Sequence, residues 1–586
     1  MKKAGFCEKK FRSMLLTGTF TMAVLYIMLL CDSIIAGLFI GSTGVAAINA
    51  VTPITGIVTF FATIISEGSG ILYSREIGVM NKRRANELYG QGLILSVVIA
   101  LLSAALMMAC RNVYFEANGI TGEIYDLAII YYRWSPLNAV LSVIVCYFSQ
   151  MVYTDGDESC NNLSYVLQIG GNVSLSVCLT RAYGMVGIIM GTIFGNILGL
   201  IALSWHFFKK SNTLHFVRHF SFGDFKECVK FSIVDAVIYL CWGVMDYILI
   251  GHVAAGYGET GQVVFAVLIS VIEFSVVMDG VGMAVQPLLG TYLGENNHVL
   301  LKRLMKSAVY AAVIEGIVAN ILVFVFARQF CGLFGVTGGM LVPCTQAVRI
   351  VSFGMVFCSA VSLMTSYYML IDHVALSVVI TVLKDGFLYT VLPILGSGLF
   401  GENGMWAAFA AAPVLTLILS FGFIRFYFGK KRFPYVIEMP DTEIIVLEDT
   451  LTPEHAAGLS QGVEKALKDR NYGRNTIVHA ALFTEEIGLA VIERNKKKKA
   501  MLLAEFSLIL DRDSVLVIER DSGEIFDITD PDMDIKGISS FIISGLMEAH
   551  NEKAYLTTTG YNRNMIRFTA GRTNQVKEDM DQWVRM

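Results

Sequence analysis

The sequence predicts an all-α polytopic membrane protein of about twelve helices, built as two parallel six-helix repeats and followed by a C-terminal α/β sandwich domain. Three observations predict it. Charge density rises steeply near residue 440. Apolar runs of about 20 residues recur up to that point, each long enough to cross a hydrocarbon core. Four short motifs then return in the same order in the second half of that region.

The charges set the first boundary. Residues 1–440 carry 27 Lys/Arg and 24 Asp/Glu, whereas residues 441–586 carry 18 and 25 in a third of the length. Soluble domains average about 25% charged residues; only the second segment reaches that density. The net charge of −4 gives no reason to expect a nucleic-acid partner. All eleven cysteines precede residue 359 and none forms a C-x-x-C pair, so no metal site or disulfide framework is indicated.

The apolar runs lie near 14–40, 46–72, 90–110, 126–150, 161–180, 184–208, 229–252, 261–288, 307–327, 346–370, 374–396 and 404–428. In lipid every backbone polar group must be paired within the chain, which makes runs of this length helical. The first run, preceded by Lys2, Lys3, Lys9, Lys10 and Arg12, is too long for a signal peptide and reads as a retained helix. Basic clusters at the N-terminus, Arg75/Lys82/Arg83/Arg84, Lys209/Lys210/Lys226/Lys230, Lys302/Arg303/Lys306 and Lys430/Lys431/Arg432 fall on alternate connections. That asymmetry predicts a multi-pass protein of the cell membrane with both termini in the cytoplasm.

The repeat sets the second boundary. Asp32-Ser-Ile-Ile-Ala-Gly37 is echoed by Asp246-Tyr-Ile-Leu-Ile-Gly251, and Glu67-Gly-Ser-Gly70 by Asp279-Gly-Val-Gly282. Gly78 with its basic run is echoed by Gly294 with its own, and Lys209-Lys210 by Lys430-Lys431. Parallel repeats of this kind characterise proteins that rock two lobes around a central cavity. The division is therefore an N-lobe at 1–218, a C-lobe at 219–432, a linker at 433–440 and a soluble domain at 441–586. In that domain Thr442–Leu447, Met501–Leu510, Ser514–Arg520 and Met565–Thr569 read as strands. Pro453–Arg470, Thr476–Arg494 and Gly537–His550 read as helices.

Carboxylates within apolar helices are the chemically informative residues, because each costs several kcal/mol unless paired, protonated or wetted. They are Asp32, Glu67, Asp235, Asp246, Glu273, Asp279, Glu315 and Asp385. Asp32 and Asp246 stand out because they occupy equivalent points of the repeat. A buried carboxylate suits a proton carrier, and two carboxylate oxygens can also hold Na⁺. The competing role is a carboxylate hydrogen-bonded to a neighbouring helix for packing alone. Intramembrane charges of acidic sign favour cationic cargo.

The run Cys31-Asp-Ser-Ile-Ile-Ala-Gly-Leu-Phe-Ile-Gly41, followed by Ala46-Ala-Ile-Asn-Ala-Val-Thr-Pro53, resembles the first-helix signature of the multidrug and toxic compound extrusion (MATE) family. Arg75-Glu-Ile-Gly78 and Gln286-Pro-Leu-Leu-Gly-Thr-Tyr-Leu-Gly-Glu295 resemble two of its cytoplasmic connections. The resemblance spans about residues 10–430. It implies a secondary antiporter, not an enzyme, that exports small cationic amphipathic compounds in exchange for H⁺ or Na⁺. It assigns ion coupling to Asp32 and to Asn172, with Ser176 where the family has a second Asp. Asp235, Asp246 and Asp385 are the candidates in the C-lobe.

In the tail, Asp521-Ser-Gly-Glu-Ile-Phe-Asp527 resembles the D-x-G-x-x-F-D box of the ATP-binding fold shared by gyrase, histidine kinases and anti-sigma-factor kinases. The resemblance implies adenine contacts from Asp521 and Gly523, a phosphate loop at Gly537 and a Mg²⁺ ligand at Glu486. Ala490 stands where the family has the second Mg²⁺ ligand, an Asn. The resemblance therefore implies a degenerate domain in which ATP binding stays open and turnover is not expected, serving as a cytoplasmic regulatory or interaction module. Two rival functions remain on the sequence: a flippase for lipid-linked saccharides, and a membrane-bound signalling protein whose tail binds nucleotide or a partner. The expected partners are membrane lipid, the small-molecule substrate and that cytoplasmic protein, with no nucleic acid.

Overall fold

The structure, a computed structural model, describes residues 5–569 apart from 118–121, 334–335, 337, 436–441, 497–501, 513, 530–537, 551–552 and 559–560. The N-lobe comprises α1 (Phe6–Phe39), α2 (Ser42–Gly78), α3 (Lys82–Ala117), α4 (Gly122–Tyr132), α5 (Ser135–Thr154), α6 (Glu158–Tyr183) and α7 (Met185–Ser204). The C-lobe comprises α8 (Phe222–Glu273), α9 (Gly280–Gly294), α10 (His298–Leu333), α11 (Leu341–Ser352), α12 (Met355–Leu370), α13 (Val374–Thr381), a π-helical turn at Val382–Leu388, α14 (Tyr389–Tyr427) and the short α15 (Gly429–Arg432). Helix α14 bends at Gly401, whose φ of 67° is open to glycine.

Among the described residues nine helices are long and apolar enough to cross a membrane, or up to ten if the bent pair around residue 353 is one span. One of the nine, Arg474–Arg494, belongs to the tail. The expected runs at 14–40 and 229–252 pass through side chains outside the described residues. A candidate span at Val267–Gly294 covers most of the run expected at 261–288, but no helix break separates that run from the one expected at 229–252: α8 continues through 52 residues to Glu273. At about 1.5 Å per residue that is more than twice the ~30 Å of a hydrocarbon core.

One turn recurs wherever helices meet at the tail end of the bundle. After α2, Met80 takes a φ of 60° and Asn81 Oδ1 accepts from Arg84 N at 3.2 Å. After α9, Asn296 takes a φ of 55° and Asn297 Oδ1 accepts from Leu300 N at 3.1 Å. Gly156 and Asp372 hold the same left-handed position after α5 and α12. In each turn the next amide also reaches five residues back, as Asn81 N does to Glu76 O and Asn297 N to Tyr292 O, both at 2.9 Å. These closures satisfy helix C-terminal carbonyls that would otherwise be orphaned.

The apolar cores show how the lobes meet. At the tail end one core takes Phe11, Ile65 and Tyr73 from the N-lobe together with Phe231, Val285 and Leu288 from the C-lobe. At the far end there are two cores, one around Ile35, Val51, Tyr131 and Ile188, the other around Leu249, Leu268, Val348 and Trp406 with Tyr26 of α1 inserted into it. Gly78 and Gly294, expected to be equivalent positions of the two halves, face each other across the seam. A Cβ on Gly78 would come within 2.9 Å of Gly294 Cα, so only glycine permits this approach.

The tail is a five-stranded antiparallel sheet in the order β1 (Glu443–Thr450), β2 (Leu503–Leu510), β3 (Ser514–Asp521), β5 (Tyr561–Thr569) and β4 (Lys553–Thr558). Helices α16 (Pro453–Lys468), α17 (Arg474–Arg494) and α18 (Ile538–Ala549) cover one face. Thr452 caps α16 by accepting from His455 N at 3.2 Å, with Pro453 at the first helical position. Strand β4 was not expected: it is a short, polar-ended edge strand that carries little alternation. The linker expected at 433–440 is described only as far as Tyr435. The helix-free face of the sheet packs on the membrane region, and Glu505, Ser507, Arg520 and Arg563 on it are each at most 1% exposed.

Candidate functional site

Asp32 lies in the far half of α1, away from the tail, and is half-buried. Its carboxylate accepts from three neutral donors. Thr192 Oγ1 on α7 lies 3.0 Å from Oδ2, the Tyr131 hydroxyl on α4 lies 3.3 Å from Oδ2, and Asn172 Nδ2 on α6 lies 3.4 Å from Oδ1. Ser176, one helical turn beyond Asn172, donates to Asn172 Oδ1 at 2.9 Å and so turns the amide nitrogen toward Asp32. Tight packing of α6 on α7 holds the set: a Cβ at Gly191 would meet Ser176 Oγ at 2.0 Å. Among the described residues no Lys or Arg pairs with Asp32.

The C-lobe is built differently. Asp385, 2% exposed, lies in the π-helical turn and accepts from the Trp242 indole N–H at 3.1 Å. Lys384 Nζ lies 3.4 Å from Asp385 Oδ1. Asp279, hydrogen-bonded to Ser362, is also within electrostatic reach of Lys384. The expectation that intramembrane charges are all acidic is corrected here: Lys384 is a built-in counter-cation. The side chains of Asp235 and Asp246 lie outside the described residues. Two further carboxylates tie the lobes together through neutral donors. Glu67 accepts from Gln286 Nε2 at 3.2 Å, and Glu315 accepts from Thr19 at 2.7 Å and from Ser359 at 2.9 Å.

Sequence reasoning brought Asp32 and Asn172 together and named Asp385. It missed Lys384, although a Lys beside an Asp in an apolar run was a readable signal. It also missed Tyr131, Thr192 and Trp242, which belong to no charged motif and can be found only by their proximity.

In the tail, Asp521 has no exposed surface. Its Oδ1 accepts from Gly523 N at 2.6 Å, and both oxygens lie 3.2 Å from Asn562 Nδ2. Burial pushes the Asp521 carboxyl up to about 6, against the bonds from Gly523 and Asn562 that favour its charged form. Asn495 is turned toward the same loop and accepts from Glu524 N at 3.0 Å. As it stands the D-x-G carboxylate braces its own turn, and adenine contact would require Asn562 to give way. Glu486 keeps a buried oxygen, Oε2, without a hydrogen-bond partner among the described residues. Gly537 lies outside the described residues.

The chain resembles the probable multidrug resistance protein YoeA of Bacillus subtilis (strain 168), at 22% identity over 432 residues, 69% of this chain and 90% of that protein. Among solved structures it superposes on a MOP superfamily transporter from Pyrococcus furiosus with a TM-score of 0.67 at 19% identity, covering 72% of this chain and 96% of the other. An outward-facing multidrug resistance MATE transporter of the same superfamily also matches, with a TM-score of 0.67, 20% identity and the same coverage. At these identities the structural likeness speaks for the fold alone. The MatE family profile, however, matches residues 19–170 and 232–392, more than half of the sequence, so the chain belongs to the MatE family, whose members are integral membrane transporters and not enzymes.

Proposed function

We propose that the protein is a secondary multidrug antiporter that exports small cationic amphipathic compounds in exchange for H⁺ or Na⁺, with both termini in the cytoplasm and a tail that regulates transport without powering it. The observation that carries this reading is the contrast between the lobes. Asp32 has only neutral donors around it, whereas Asp385 already has Lys384. A carboxylate in an apolar helix must be neutralised or wetted. Glu67 and Glu315 also have neutral donors, but they bridge the two lobes. Asp32 is held within one lobe and is the carboxylate we assign to a cation from solution. The names of the relatives support efflux of drug-like compounds.

Proteoliposomes with the full chain test the proposal. An imposed pH or Na⁺ gradient should drive uptake of a cationic dye such as ethidium into inverted vesicles, and ATP without a gradient should not. ATP-driven uptake, or none under either gradient with several cationic dyes, would overturn it. Sidedness is read separately: an impermeant thiol reagent applied to intact cells should leave a cysteine placed at the exposed Lys465 unmodified. Labelling there from outside would place the tail on the wrong side.

A further inference from the structure

The register of the tail sheet places three charged residues side by side on its helix-free face. Glu505 on β2 stands opposite Arg520 on β3, which stands opposite Arg563 on β5. All three are buried against the membrane region. Arg520 binds Glu505 at 2.7 Å and also pairs with Glu295, the residue after Gly294 in the α9–α10 turn of the C-lobe. Arg563 lies 3.4 Å from the same Glu295 and donates to the carbonyls of Ile77 and Gly78 at the end of α2 in the N-lobe, the latter at 3.2 Å. A cation there also answers the negative end of the helix dipole. One guanidinium therefore holds both lobes at the point where Gly78 and Gly294 touch. Asn297 Nδ2 to Ser507 Oγ at 3.1 Å and Arg303 to Glu448 at 2.9 Å extend the contact along the C-lobe.

We infer that the helix-free face of the tail sheet is an interaction surface for the paired turns Ile77–Gly78 and Gly294–Asn297 of its own chain, and that Arg563 with Glu295 forms a latch that keeps the two lobes closed at the tail end. This rests on the two-lobe transport reading and adds its regulation. To open at that end, Gly78 must part from Gly294, and Arg563 cannot follow both. The cluster is incompletely satisfied: Arg563 Nη1 and Glu295 Oε1 face each other as an ion pair without a hydrogen bond, and Glu505 Oε2 and the Nε atoms of Arg520 and Arg563 likewise have no hydrogen-bond partner among the described residues. Buried charges held this way cost much of what their attraction returns, which suits a contact that is broken and remade.

The test uses the full chain in nanodiscs, with nitroxides on ketone-bearing residues at the exposed positions Arg83 and Lys302, one per lobe, and double electron–electron resonance between them. The unmodified latch should give one short-distance population. Arg563→Met and Glu295→Gln should each raise a longer, open population at least tenfold, and the double variant should open by less than the two effects combined, because both break the Arg563–Glu295 link even though Glu295 also pairs with Arg520. Arg563→Lys, which keeps the charge but cannot reach both lobes, should open as Arg563→Met does. Distance distributions identical to the parent in all of these, or effects of the two single variants that add, would overturn the latch. No transport is measured, so a failure here is distinguishable from a failure of the antiporter reading.

Discussion

Asp32→Asn should lower gradient-driven efflux by about 5- to 150-fold, the range that corresponds to losing 1–3 kcal/mol of coupling, while leaving the protein folded. The substitution keeps the shape of the side chain and removes its charge and its titration. The carbonyl of the introduced amide could still accept from Thr192 and Tyr131, which now lie 3.0 and 3.3 Å from Oδ2 of Asp32. Its NH₂ group would face the Asn172 amide that now donates to Oδ1 at 3.4 Å, and one strained hydrogen bond costs about 1 kcal/mol. Efflux of ethidium from vesicles under the imposed gradient is the measurement, with the melting temperature as the control for folding. Parental efflux at parental melting temperature would make Asp32 a packing residue and move the coupling site elsewhere. Thr192→Val removes a donor and keeps the carboxylate, so it should weaken coupling by less than Asp32→Asn does.

What was legible in the sequence follows from which signals are local. Long apolar runs and basic connections are properties of short windows and mark the membrane region, and short-window strand and helix patterns mark most tail elements. Asp32 was legible because a charge in an apolar helix stands out against its neighbours. The continuity of α8 was not, because the less apolar stretch 256–260 separates the runs read at 229–252 and 261–288, whereas α8 runs through it. Neutral donors such as Thr192 and Tyr131 were illegible because Thr and Tyr are ordinary in membrane helices and act here only through proximity across three helices. The latch was illegible for the same reason at longer range. Arg563 and Gly78 are separated by most of the chain, and neither position is unusual within its own window.

The second large effect concerns Lys384. Lys384→Met should destabilise the C-lobe, and adding Asp385→Asn should restore most of the loss. With Lys384 gone, Asp385, 2% exposed, would keep the Trp242 indole at 3.1 Å but no counter-charge. Removing one partner of a buried pair costs about 3–5 kcal/mol, because the remaining charge is left uncompensated. Asp279 deepens the effect, since it shares the same lysine. Neutralising both members removes the unpaired charge, and replacing a buried pair by neutral groups is often close to neutral in stability. Thermal unfolding in detergent should therefore show a clear drop in melting temperature for Lys384→Met and for Lys384→Gln, and a recovery for the double variant Lys384→Met/Asp385→Asn. If the pair is instead opened by substrate or by a coupling ion entering the C-lobe, Lys384→Met will melt like the parent. In that outcome Asp385 must already be protonated or hydrated without the lysine, and the contrast between Asp32 and Asp385 would be lost.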